Sequence, residues 1–131
     1  MSTLLAQRPY LLKAFFNWIV DSKLTPHIIV NAAEVGVEVP QQFVENGKII
    51  LNIAPESVHE FSMGNDAVAF NARFGGQPMQ IYVPIYAIEG IYARENGEGT
   101  VFVAETVYDA LKKQQQKGKN KVKKATLSVI K

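Results

Sequence analysis

Apolar residues surround most of the first predicted element. In the segment RPYLLKAFFNWIVDSKLTP, residues 8–26, polar side chains recur at Lys13, Asn17 and Asp21. Positions four apart lie on one side of a helix, so these three form a single narrow polar stripe. A proline suits the first helical turn, and a Thr-Pro pair follows the predicted end. We therefore expect a helix over 9–22 that is covered on two sides.

The second covered side predicts a symmetric homodimer. An ordinary surface helix hides one apolar face, whereas this segment is apolar around most of its circumference. The same helix of a second copy is the cover we expect for the remaining face. The residues assigned to this dimer interface are Leu11, Phe15 and Trp18.

Beyond residue 26 the hydrophobic period changes to that of β-strands. Short runs rich in β-branched residues are separated by turn signals such as Asn-Gly and Gly-Gly, which readily supply positive φ. Many short strands with close turns indicate antiparallel pairing, so the predicted fold class is α+β, one helix followed by a small curled sheet or partial barrel. The predicted strands are 27–32, 35–39, 48–53, 57–62, 67–73, 79–83, 88–93 and about 100–103, and a short helix is predicted over 104–116.

The composition indicates a globular domain with an appendage. The chain has 131 residues, of which 47% are hydrophobic and 20% charged, values typical of soluble proteins. The most apolar run, 10–20, is too short for a bilayer and lacks a signal-peptide cleavage site, so we expect a cytoplasmic protein with no membrane segment. There are no cysteines, which excludes disulfides, thiolate zinc sites and cysteine nucleophiles within this sequence.

The charge is divided unevenly along the chain. Before residue 112 there are twelve acidic and six basic residues, a net charge of −6, whereas 112–131 contains eight lysines and no acid. An acidic body argues against nonspecific nucleic-acid binding by the folded part. We predict a domain over 1–111, a flexible Lys-rich linker over 112–126 and a docking motif over 127–131.

The last five residues include the apolar Leu127, Val129 and Ile130, although the segment before them is rich in lysine and other polar residues. Apolar side chains at the end of a charged tail are stabilised only if another surface buries them. Docking to a partner is one explanation, and folding back as an edge strand on the acidic body is the alternative.

Sites for catalysis or metal binding find little support. Neither His27 nor His59 has the spacing of metal ligands, and no nucleophile elbow, phosphate-binding loop or zinc-binding helix occurs. We therefore predict that the protein is not an enzyme and that it needs no metal or other cofactor. The segment FNARFGG, 70–76, is the stronger candidate, because Arg73 beside Gly75-Gly76 could clamp an extended acidic peptide.

Two alternatives to peptide binding remain for FNARFGG. A core strand with one solvated arginine has the same pattern. RNA is the other, since small barrels stack bases on aromatic side chains and a Lys-rich tail can contact phosphates of RNA or a ribosome. The aromatic residues of the body are not interleaved with basic ones, which argues against a base-stacking surface.

Several ordered motifs together resemble the stringent starvation protein B family of adaptors. They are RPYLLKAFFNWIVDSKLTPHIIV (8–30), GKIILNIAP (47–55), FNARFGGQP (70–78), GIYARENGEGT (90–100) and the terminal LSVIK. The resemblance implies an N-terminal helix followed by two curved antiparallel sheets in an Sm-like partial barrel, dimerised through the first helix. The linker departs from the family pattern, which often has a long acidic segment where this chain is short and basic.

The resemblance also implies a function and its residues. A groove on each subunit would bind the ssrA degradation tag as an extended peptide, and the tail would dock on the N-terminal zinc-binding domain of ClpX, tethering substrate to the ClpXP protease. The tag-binding residues implied by the matching motifs are Asn52, Ile53, Ala54, Asn71, Ala72, Arg73 and Phe74, with Val58 assigned from its place in the next strand; the ClpX-docking residues are Leu127, Ser128, Val129, Ile130 and Lys131.

Overall fold

The computed structural model describes residues 4–115. Its elements are α1 (Arg8–Asp21), β1 (Pro26–Asn31), β2 (Lys48–Asn52), β3 (His59–Met63), β4 (Ala67–Phe74), β5 (Gln77–Pro84), β6 (Ile88–Ala93), β7 (Gly99–Val101) and a second helix, α2, over 106–115. Three short 3-10 turns lie at Gln41–Phe43, Pro55–Ser57 and Ile85–Ala87.

The strands form two open antiparallel sheets. The four-stranded sheet has the order β2-β1-β6-β7, and the three-stranded sheet has the order β3-β4-β5. A buried 3-10 turn, Ile85–Ala87, carries the chain from the last strand of the second sheet into β6 of the first. The inward side chains of both sheets, including Ile28, Phe70 and Ile81, share one core. The α+β class with an N-terminal helix and two antiparallel sheets is therefore confirmed.

The alternation of buried and exposed side chains along β4 and β5 places one face of the second sheet against the core. Val68, Phe70 and Ala72 of β4 are buried, while Arg73 at the end of the strand is exposed. Because side chains alternate between the faces of a strand, one face carries the apolar residues and the other faces outward. The register runs without interruption from Ala67 opposite Pro84 to Phe74 opposite Gln77.

The prediction of a strand over 35–39 is wrong. This stretch belongs to the long connection between β1 and β2, and its one strand-like feature is an isolated bridge between Glu38 and Tyr82. Gly36 has a φ of +89°, and a Cβ there would lie 3.2 Å from Pro84 Cγ. A left-handed residue breaks the extended conformation of a strand, and β-branched composition alone does not reveal it.

The other predicted elements are present; β6 has the predicted ends, 88–93, and the others are shifted by a few residues. The predicted strand 57–62 begins at His59, because Pro55–Ser57 forms a 3-10 turn first. The last predicted strand, about 100–103, is Gly99–Val101, and the helix predicted over 104–116 is helical over 106–115. That helix continues four residues into the segment predicted as linker, 112–126.

One face of α1 is covered by its own domain. Leu12 and Ile19 are completely or almost completely buried, whereas Tyr10, Leu11 and Trp18 are 48%, 42% and 52% exposed. The Phe15 ring is half-buried and lies edge-on to Trp18, with 5.8 Å between ring centroids. The helix thus presents a second apolar surface, here called the outer face of α1 (Tyr10, Leu11, Phe15 and Trp18); of these residues, Phe15 also packs against the core.

Within residues 4–115, no helix has the length and apolar character needed to cross a membrane.

Candidate functional site

Strand β2 has an open edge and an exposed apolar side chain. It pairs with β1 on one side, and no other strand of the described residues lies on its outer side. Ile49 and Leu51 point into the core, while Ile50 between them is 53% exposed. The backbone N–H and C=O of Lys48 are bonded to Glu45, so the open part of this edge is the rest of the strand. The outward N–H and C=O groups of an edge strand are a template for an additional strand.

A cavity of about 380 Å³ lies beside this edge. It is lined by Phe43, Glu45, Lys48, Ile49, Ile50 and Phe74. The rings of Phe43, from the 3-10 turn after β1, and Phe74, from the end of β4, have centroids 5.6 Å apart. The cavity, here called the groove, therefore combines an apolar floor and aromatic wall with one carboxylate and one ammonium group.

The first group of predicted tag-binding residues begins at the last residue of β2. Asn52 is half-buried, and its Oδ1 accepts a hydrogen bond of 2.9 Å from the backbone N–H of Ala54. Ile53 and Ala54 are buried, with 0% and 1% exposure. The asparagine side chain thus shapes the end of the strand, and its two neighbours belong to the core.

The second group lies on β4. Asn71 is half-buried and is opposite His59 on one side and Gln80 on the other. Arg73 is exposed, and its Nη1 donates a hydrogen bond of 3.2 Å to the carbonyl oxygen of Gly76. Phe74 is the member of this group that lines the groove.

The glycine pair after Phe74 is explained by the hairpin. Gly75 and Gly76 have φ values of +58° and +82°, and they connect β4 to β5 as a two-residue turn. Positive φ at both central residues is the requirement of the turns that match the twist of paired strands. The turn accounts for both glycines, while the guanidinium of Arg73 remains at the surface.

Four of the eight predicted residues have little exposed surface. Ile53, Ala54, Val58 and Ala72 are each 8% exposed or less. The first group lies at the end of the edge strand β2 and the second on β4, the central strand of the other sheet. These four side chains mainly pack the core. The exposed and half-exposed members are Asn52, Asn71, Arg73 and Phe74.

Of the six residues that line the groove, sequence reasoning named only Phe74. It missed Glu45, Lys48 and Ile49, as well as the two exposed apolar residues, Phe43 and Ile50. Phe43 is 45% exposed and is the aromatic residue of the otherwise mostly polar stretch QQFVENGK, which is the signal that could have found it. Ile50 stands between two core residues of β2, on an outward face whose other residues, Lys48 and Asn52, are polar. Together the exposed side chains of Phe43 and Ile50 form an apolar patch beside a strand edge, which is the kind of surface that binds another chain.

The two histidines lie in strands. His27 in β1 is half-buried, its ring lies edge-on to Tyr92 with centroids 5.5 Å apart, and burial and then the nearby Arg94 lower its pKa. His59 in β3 is exposed. Among the described residues no group of three or more His, Cys, Asp or Glu side chains is arranged to hold a metal ion.

A family model and a known protein point to the same family. A family model described as Stringent starvation protein B matches residues 6–128. A protein of Haemophilus influenzae described as Stringent starvation protein B homolog is 44% identical over 105 residues, which are 80% of this chain and 70% of that protein. The family match covers the groove, both groups of predicted tag-binding residues and the outer face of α1.

Proposed function

The chain belongs to the stringent starvation protein B family, and on that premise we propose that it is a protease adaptor. Its groove binds the ssrA tag of a stalled-translation product as an extended peptide. Its C-terminal motif, 127–131, docks on the N-terminal zinc-binding domain of ClpX. Substrate and unfoldase are thereby held on one molecule, and ClpXP degrades the tagged protein at lower substrate concentration.

The open edge of β2 beside the groove is the observation that carries the peptide part of this proposal. An extended peptide that adds to β2 satisfies the outward backbone groups of both strands. Its alternate side chains then point toward Ile50 and into the cavity between Phe43 and Phe74. This arrangement suits an extended chain better than a compact ligand.

We propose different roles for the exposed and the buried residues of the site. Arg73 and Asn71 supply polar contacts to the peptide from β4, since the first is exposed and the second half-buried. The buried residues Ile53, Ala54, Val58 and Ala72 do not line the groove and instead hold the two strand ends in position by packing beneath them. Such a residue contributes to affinity through packing and backbone position, so its substitution also lowers stability.

A symmetric dimer through the outer face of α1 completes the proposed assembly. The three exposed or half-exposed apolar residues Leu11, Phe15 and Trp18 lie within two turns of one helix. A two-fold axis across such a face would bring each surface against its own copy. Each dimer would then carry two grooves and two tails.

The tail part of the proposal rests on the sequence. Leu127, Val129 and Ile130 lie outside the described residues, as does most of the Lys-rich linker 112–126. The linker carries seven lysines and no acid, which favours a solvated chain between the domain and the apolar end.

Titration with a fluorescent ssrA peptide and with a single-stranded RNA at physiological salt tests the proposal. We expect saturable peptide binding and RNA binding that is lost as salt rises. Ile50→Asp should weaken the peptide at least tenfold, about 1.4 kcal/mol. Val101→Asp is the matched control, because Val101 is 74% exposed on β7, the opposite edge of the same sheet. Salt-resistant RNA binding without peptide binding would refute the adaptor function.

A further inference from the structure

Helix α1 begins without a cap from its own sequence. Gln7 at the N-cap position makes no side-chain capping bond, and the first turn contains no acidic residue. The carboxylate of Glu105 takes that place, since Oε2 accepts a hydrogen bond of 2.8 Å from the Gln7 N–H and Oε1 one of 3.2 Å from the Arg8 N–H. A carboxylate at a helix N-terminus satisfies free N–H groups and interacts favourably with the helix dipole.

The side chain of Arg8 ties the same two parts of the chain together. It is 7% exposed, and its guanidinium donates to the carbonyls of Tyr86 and Ile88, both at 3.1 Å, and to that of Val103 at 2.8 Å. The guanidinium carbon also lies 5.1 Å from the centre of the Tyr108 ring. A buried charge with these partners holds the segment before α2 against the start of α1.

Helix α2 continues this attachment. Tyr108 is 6% exposed, with its ring 6.2 Å from that of Tyr86. One turn later the Lys112 ammonium pairs with the Glu34 carboxylate at 2.5 Å and lies 5.5 Å from the centre of the Tyr86 ring. The first lysine of the predicted linker is thus bound to the body of the protein.

We propose that Glu105, Tyr108 and Lys112 form a tail anchor that fixes where the adaptor's tether leaves the domain. This inference rests on the proposed function in taking the tail as the tether. Lys112 and Glu89 line one cavity, and the Glu89 carboxylate pairs with Lys48, which lines the groove. Glu89 and Lys48 thus connect the surface around Lys112 to the surface around the groove.

The anchor also shortens the tether. With the anchor in place, 14 residues, 113–126, separate Lys112 from the docking motif, and the first three of them belong to α2. Without the anchor, the 23 residues 104–126 would be free. For a flexible chain the root-mean-square span then rises from about 20 Å to about 27 Å. Effective concentration falls roughly as the −3/2 power of length, so release of the anchor lowers it by about twofold.

Spin-label mobility in the full-length chain tests the anchor without substrate or unfoldase. The sequence has no cysteines, so Ala110→Cys on the exposed side of α2 gives one labelling site, and Thr126→Cys gives a reference in the tail. We expect the label at 110 to be immobilised relative to the label at 126. Equal mobility at the two positions would overturn the inference.

Substitutions in α2 then show which of its contacts immobilise the label at 110. Lys112→Glu should increase the mobility of the label at 110, and adding Tyr108→Ser should remove the immobilised component. Lys113→Glu is the matched control, because it makes the same change of charge one residue later at an exposed position. An equal effect of Lys113→Glu would overturn the role of the Lys112 pair. Circular dichroism and tag-peptide affinity identify a variant that has lost its fold.

Degradation assays with ClpXP test whether the anchor affects the delivery of tagged substrates. In the Lys112→Glu, Tyr108→Ser variant we expect tag affinity to remain unchanged, and the substrate concentration for half-maximal degradation by ClpXP to rise about twofold. A released label with unchanged delivery would overturn the proposal that the anchor sets the tether. Failure of the wild-type protein to deliver tagged substrate contradicts the proposed function instead, and leaves the mobility result intact.

Discussion

Replacing Trp18 with Asp should separate the proposed dimer into monomers. Trp18 is 52% exposed on the outer face of α1, beside Leu11 at 42%. With ~250 Å² for the whole side chain, complete covering of the exposed part buries about 130 Å², or about 3 kcal/mol at ~25 cal/mol per Å². A symmetric interface contains this contact twice, so the wild-type pair of tryptophans contributes up to about 6 kcal/mol before the entropic cost of association.

Aspartate at this position removes that apolar contact and adds a charge that cannot be buried cheaply. We therefore expect the dimer dissociation constant to rise at least about a hundredfold, the equivalent of about 2.7 kcal/mol. The monomer should keep its fold, because the core face of α1 is formed by Leu12 and Ile19, which the substitution does not touch.

Sedimentation velocity over a range of protein concentrations measures the effect. Trp18 is the single tryptophan, so a red shift of its emission on dilution of the wild-type protein is a second measure of dissociation. Ile50→Asp is a matched control, because Ile50 is 53% exposed but lies at the groove. It should weaken tag binding and leave the dimer intact, while Trp18→Asp should do the reverse. A wild-type protein that sediments as a monomer at micromolar concentration, or a Trp18→Asp variant that remains a dimer, would refute this reasoning.

Three further predictions concern the site, the tail and acid stability. Arg73→Gln should weaken binding of the tag peptide about tenfold, since charge-assisted hydrogen bonds contribute ~1.5–3 kcal/mol. It should leave the melting temperature nearly unchanged, because Arg73 is exposed. A lower melting temperature with the same peptide affinity would show that Arg73 has a structural role instead. Deletion of 127–131 should abolish enhanced degradation by ClpXP but not dimerisation or tag binding, and a truncated protein that still delivers would contradict the tether. Hydrogen bonds from the hydroxyl and N–H of Thr25 hold the pKa of Glu95 at about 2, below its ordinary 4.5, so its contribution to stability is present above pH 4.5 and lost as pH falls toward 2. Thermal melting should therefore show a shallower acid dependence for Glu95→Gln between these values, and equal acid dependence would contradict this assignment.

Local signals in the sequence determined the type of most elements. The four-residue spacing of Lys13, Asn17 and Asp21 predicted α1, and the Gly75-Gly76 pair predicted the hairpin between β4 and β5. Both signals act between residues close in the chain, where backbone conformation and side-chain direction follow from a short repeat. The apolar circumference of α1 likewise predicted a second apolar face, which the structure leaves exposed in the single chain.

Only the tertiary structure decided how distant segments meet. The groove joins Phe43 to Phe74, and the cap of α1 joins Gln7 to Glu105, pairs separated by long stretches of chain. No repeat in the sequence encodes such pairs, because contacts of this kind depend on where complete sheets and turns pack. The loop around Gly36 shows the same limit, since its left-handed backbone fits against the side chains of Pro84 and Tyr86. The sequence alone therefore determined the helices and nearly all strands, while tertiary packing determined the groove wall and the attachment of the tail, because these contacts are long-range.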